Sequence, residues 1–192
     1  MDMTQDHLSP APQTSTSGFV ITAEMLIYAL IFLLALLTRV ADLGKFPLDA
    51  GEAREALAAY RAITPEAAGS AITSSQPLAF SFNAIALTIG GADNGVARLP
   101  TALLGALIVL IPLLYRRWLG VGIALLLSIG LALSPVLFMS SREMGGAVWS
   151  TALALLSVWL IGRYIESARA SFAIGGTTTF ALLVLMAEPA GF

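Results

Sequence analysis

The residues best equipped for chemistry crowd into one stretch, RVADLGKFPLDAGEAREALAAYRAITPE, from Arg39 to Glu66. Gly44 and Pro47 mark turns there, and Asp49 stands where it can cap a helix beginning near Gly51–Glu52. Glu52 and Glu55 then fall in the first turn, close to the positive end of the helix dipole. These carboxylates have two possible uses. One is structural, as cap and dipole partner of their own helix. The other is catalytic, because partial burial at a membrane–water boundary raises a carboxylate's pKa toward a value useful for a general base. Composition closes other routes. The chain has no cysteine, which excludes a thiol nucleophile, a disulfide frame and a thiolate metal site. Its one histidine, His7, lies in a polar N-terminal stretch away from this segment.

The elements that must hold these groups are read from the rest of the chain. Of 192 residues, 57% are hydrophobic and 11% charged, and the mean hydropathy is +0.85. Soluble domains hold about 45–50% apolar and about 25% charged residues. So little polar surface cannot cover so large an apolar core, which excludes a cytosolic enzyme, a disordered chain and a secreted disulfide scaffold. The net charge of −2 and ten basic residues do not form a nucleic-acid surface. The expected fold is all-α, a polytopic bundle of transmembrane helices embedded in a lipid bilayer.

Residues 1–18 (MDMTQDHLSPAPQTSTSG) read as a disordered polar tail. Lacking Lys and Arg, this tail does not resemble a signal peptide, so the first apolar stretch is expected to remain as an anchor. The membrane domain covers 19–192, with five expected spans at about 22–41, 99–115, 119–139, 145–162 and 171–187. Pro100 suits the first turn of the second span, and Pro112 a kink within it. Between the first two spans lies a long loop, 42–97, with surface helices expected at about 52–63 and 77–91. In the first of these, Ala53, Ala56, Leu57, Tyr60 and Ile63 form an apolar stripe suited to the membrane surface. The second is apolar but short, covering roughly 22 Å against a hydrocarbon layer of about 30 Å; if it crosses, the spans number six. If it does not, and the N-terminus is cytoplasmic, Arg116, Arg117, Arg163 and Arg169 lie inside and Arg142 outside. Among the short downstream loops that arrangement obeys the positive-inside rule.

The string from Arg39 to Arg61 resembles the first loop of GT-C glycosyltransferases, in particular the protein-mannosyltransferase-like family that includes the aminoarabinose transferases of lipid A. That family's loop reads R-x-x-x-L-G-x-x-P-L, then an Asp-Glu pair and A-x-x-A. Here the pattern appears as Arg39, Leu43, Gly44, Pro47, Leu48, then Gly51, Glu52, Ala53 and Ala56. Four further segments resemble the family in order: QPLAFSFNAIALTIGG (76–91), VARLPTALLGALIVLIPLLYRRWLG (96–120), LSPVLFMSSREM (133–144) and MAEPAGF (186–192). Together the resemblance spans residues 39–192.

The resemblance implies an enzyme of a bacterial plasma membrane. It would transfer a sugar from a polyprenyl-phosphate carrier to an acceptor hydroxyl at the external face, with inversion; no cofactor is evident beyond the lipid-linked donor, and a divalent metal stays open. It assigns the base to the first acid of the pair, which is Gly51 here, so Glu52, the surviving second acid, and Asp49, two residues before Gly51, are the catalytic candidates left. It assigns the carrier phosphate and substrate to Arg98, Arg142, Glu143 and Gln76. Snorkelling anchors at span ends are the alternative use of the two arginines, and a local Arg142–Glu143 ion pair is the alternative use of that turn. Three family positions are altered. Gly51 replaces the first acid, Gln76 a basic residue and Ala187 a lysine. The resemblance also implies about twice as many spans, so the chain is expected to be part of a longer enzyme or an inactive membrane subunit with a binding or assembly role.

Overall fold

The computed structural model describes residues 22–64, 74 and 76–186, and every regular element among them is an α-helix. In chain order these are α1 (Ala23–Val40), α2 (Ala50–Ile63), α3 (Pro77–Gly90), α4 (Asn94–Ile108), α5 (Ile111–Leu119), α6 (Val121–Leu133), α7 (Pro135–Ser141), α8 (Gly146–Ser167) and α9 (Ala170–Met186). The expected tail at 1–18 and the MAEPAGF segment beyond Met186 lie outside the described residues.

Among the described residues, three stretches are long and apolar enough to cross a membrane: α1, the α4–α5 run from Asn94 to Leu119, and α8. The pair α6 and α7 makes a fourth if a bend of 57° is allowed within one span. Helices α3 and α9 are apolar but shorter, at 14 and 17 residues.

Local chemistry explains the departures from the expected boundaries. The second span begins five residues earlier than its apolar run, because Asp93 caps α4 by accepting from the Gly95 N–H at 2.8 Å. Pro100 therefore lies inside the helix rather than in its first turn. Pro112 is placed near the start of α5, just after the helix is interrupted at Val109–Leu110. The stretch expected as one span at 119–139 is broken at Ser134, because Pro135 has no N–H to give the Leu131 carbonyl. Arg39 supplies the missing donor: its Nη2 reaches that carbonyl at 3.3 Å, and its Nη1 reaches Ala35 O at 3.2 Å. A fully buried guanidinium on α1 thus props the bend between α6 and α7.

At the end of the bundle where α1, α4, α7 and α8 meet the connecting segments, α2 and α3 form a cap. The apolar stripe of α2 does not lie free on a surface. Glu52, Ala56, Ala59 and Ile63 turn inward, and Ala59 packs with Leu87 of α3, Ala97 of α4 and Met144. Leu57 and Tyr60, counted in the expected stripe, remain exposed. At the opposite end, Glu24 pairs with Arg116 at 3.1 Å, and Glu166 accepts from Arg163 at 3.2 Å and pairs with Arg117 at 3.3 Å. Of the four arginines expected inside, three thus stand at a single end; Arg116 and Arg117 are tied to neighbouring helices by carboxylates, and Arg163 to Glu166 of its own helix.

Candidate functional site

Helix α2 begins at Ala50 with a full capping box. The Asp49 carboxylate accepts from the Glu52 N–H at 2.8 Å, and the Glu52 carboxylate accepts from the Asp49 N–H at 3.0 Å. Burial gives Glu52 more than a capping role. Its Oε1 accepts from Arg98 Nε at 2.9 Å and from the Met144 N–H at 2.8 Å, and its Oε2 accepts from Arg98 Nη2 at 2.5 Å. One side chain of α2 therefore ties down α4 and the turn between α7 and α8.

Each partner is saturated. A guanidinium has five N–H bonds. Those of Arg98 reach both Glu52 oxygens and the carbonyls of Leu43, Phe46 and Pro47, at 3.2, 2.9 and 3.1 Å. Burial pushes the Glu52 carboxyl up, but the bonds from Arg98, Met144 and Asp49 outweigh it and hold the pKa below its ordinary value. A low-pKa carboxylate with four donors on its two oxygens is a poor proton acceptor. Its geometry is that of a positioning group, not the base expected at Glu52. Arg98, expected to meet phosphate, has all five N–H groups engaged within the protein.

Arg142 is placed differently. Asp42 adopts a left-handed conformation, φ 55°, that ends α1. The carbonyls of that last turn need donors. Arg142 Nη1 donates to Thr38 O at 2.9 Å, Arg39 O at 3.3 Å and Ala41 O at 2.8 Å, and Nη2 donates to Asp42 O at 3.2 Å. Its guanidinium also lies 5.5 Å from the Phe138 ring centroid. The clamp leaves Nε and one Nη2 hydrogen available. The local Arg142–Glu143 ion pair does not occur among the described residues.

Two cavities open beside this framework. One, of about 530 Å³, is lined by Lys45, Arg98 and Arg142 and also by Asp42, with Phe46, Phe138 and Met139 as apolar wall. The other, of about 330 Å³, is lined by Asp49, Glu52, Glu55, Glu143, Arg54 and Gln76 among others. Glu143 lines both. Gln76, expected among the phosphate ligands, borders the acidic cavity instead; its side chain is buried where Gly146, lacking a Cβ, leaves room for it. Glu55 accepts from Ser74 Oγ at 2.6 Å. Among the described residues, no three His, Asp or Glu side chains converge to hold a metal ion.

The structure therefore brings together Asp49, Glu52, Arg98, Arg142, Glu143 and Gln76, which the sequence spreads over residues 49–143. Lys45 and the Met144 N–H belong to the same site and carried no signal of it. Lys45 reads as an ordinary loop lysine, and a main-chain donor leaves no trace in residue type. Comparison with protein-family models, characterised proteins and solved structures finds no match to this chain.

Proposed function

We propose that the chain is a membrane glycosyltransferase, or the N-terminal part of one. It moves a sugar from a polyprenyl-phosphate carrier to an acceptor hydroxyl at the external face, inverting the anomeric centre. The observation that carries this reading is the pair of adjoining cavities at one end of an apolar helical bundle, one basic with an aromatic wall and one rich in carboxylates. A lipid phosphate needs cations beside apolar surface, and Lys45 with Arg142 above Phe46 and Phe138 offers both. An acceptor hydroxyl needs a carboxylate within reach, which the second cavity supplies. The five-span topology, with α9 as the fifth span and a cytoplasmic N-terminus, belongs to the same proposal. So does the likeness to GT-C enzymes. The alternative, an inactive subunit of the same architecture, draws on Gly51, which removes the acid beside Glu52.

Transfer is tested with the full chain in proteoliposomes, given undecaprenyl-phosphate-linked hexoses. Active protein releases undecaprenyl phosphate from at least one donor; a chain that binds undecaprenyl phosphate and transfers nothing fits the inactive subunit. Lys45→Ala is expected to weaken undecaprenyl phosphate binding about tenfold, the scale of one charge-assisted hydrogen bond, with thermal stability unchanged because Lys45 is exposed. Topology has its own check. The chain lacks cysteine, so Phe46→Cys and Arg117→Cys can be labelled singly with a membrane-impermeant maleimide. Position 46 should label from outside and position 117 only after permeabilisation; the reverse pattern overturns the orientation.

A further inference from the structure

Taking the glycosyltransferase reading as its premise, we propose that Glu143 is the general base, and that the acceptor hydroxyl meets the sugar where Glu143 borders both cavities. The chain fixes both neighbours of this residue, while its own carboxylate, free of hydrogen bonds among the described residues, acts on Arg98 through charge alone. Arg142 is clamped to the last turn of α1 by four carbonyl contacts. The Met144 N–H is held by Glu52 at 2.8 Å. Between these anchors the Gly145 N–H donates to the Glu143 carbonyl at 2.9 Å, which sets the turn. The Glu143 side chain is exposed, and among the described residues no hydrogen bond or ion pair engages its carboxylate.

The other acids of the site are less suited. Glu52 already accepts four hydrogen bonds. Asp49 caps α2 and lines only the acidic cavity. Glu55 accepts from Ser74 and lies away from the basic cavity. Glu143 alone lines both cavities, and so stands where an acceptor in one can meet a donor in the other.

The step balances without a metal or redox partner. The acceptor oxygen forms a bond to the anomeric carbon as its proton passes to the Glu143 carboxylate. The bond from that carbon to the phosphate oxygen breaks, and its electron pair leaves on the polyprenyl phosphate. Lys45 and Arg142 face the charge that develops there.

Glu143→Gln and Glu143→Asp are compared with wild type in proteoliposomes, using the undecaprenyl-phosphate hexose that wild type accepts best. Expected for Glu143→Gln is a fall in transfer rate of about 10²–10⁴-fold, undiminished undecaprenyl phosphate binding, and loss of the acid limb of the pH–rate profile. Glu143→Asp should recover part of the rate and retain that limb, which a merely structural role would not produce. Undiminished transfer by Glu143→Gln in an active background overturns the assignment alone. A wild type inert toward every donor, both as this chain and as an extended version of it, overturns the premise and the assignment together. A Glu143→Gln protein that loses rate and melting temperature in parallel, with no Glu143→Asp rescue, also overturns it.

Discussion

Glu52→Ala is expected to destabilise the protein by about 3–5 kcal/mol, enough to abolish folding in a marginally stable chain. The alanine leaves Arg98 charged, buried and stripped of two of its bonds, and orphans the Met144 and Asp49 N–H groups. Breaking one half of a buried ion pair costs that much because an uncompensated charge remains. Replacing both halves with apolar residues of similar volume should cost far less. Glu52→Leu with Arg98→Met is therefore expected to recover part of the melting temperature lost in Glu52→Ala: the unpaired charge is gone, while the Met144 and Asp49 N–H groups and the Leu43, Phe46 and Pro47 carbonyls stay without these partners. Thermal unfolding in detergent checks both, and a Glu52→Ala protein as stable as wild type would refute the hub.

The same pair sets a dependence on pH. The Glu52 carboxyl is held below its ordinary pKa in the fold. A group whose folded pKa is depressed contributes stability above its unfolded pKa and loses it as pH falls through the folded one. Wild type should thus hold a level melting temperature near neutrality and lose stability on acidification below the ordinary carboxylate range. In the Glu52→Leu, Arg98→Met double variant that acid slope should be shallower. Equal slopes would mean that other carboxylates govern acid unfolding.

Gly105→Ala carries the second large effect. A Cβ at this position of α4 would lie 2.3 Å from the Ser141 Cβ of α7 and 3.5 Å from Arg39 Nε. Carbon atoms cannot approach to 2.3 Å, so α4 and α7 must separate. Overpacking of this kind costs about 1–3 kcal/mol. The displacement would also shift the start of the turn that carries Arg142 and Glu143, and disturb the Arg39 prop beneath the α6–α7 bend. Adding Ser141→Gly removes the clashing Cβ and should restore much of the loss. Without that rescue, the cause lies elsewhere in α4.

The helical membrane architecture was legible in the sequence because apolar content and run length are local, additive properties. Nothing beyond the identity of neighbouring residues is needed to place α1, α4–α5 and α8. The Asp49 cap was legible for the same reason: its partner is three residues away. The expected site residues did converge, but their roles were decided elsewhere. A carboxylate on α2 reads alike as base, cap or ion-pair partner until its neighbours are known, and those of Glu52 lie 46 and 92 residues along the chain. Arg142 reads as an anchor or a phosphate ligand until its clamp on α1, about a hundred residues away, appears. The broken span shows the same limit. Pro135 marks a break in the helix, but only the fold supplies Arg39, on another helix, to satisfy the carbonyl it frees. Hydrogen-bond satisfaction in a buried site is settled by side chains distant in sequence. It therefore took the tertiary structure to separate the saturated Glu52 and Arg98 from Glu143, Lys45 and the remaining donors of Arg142.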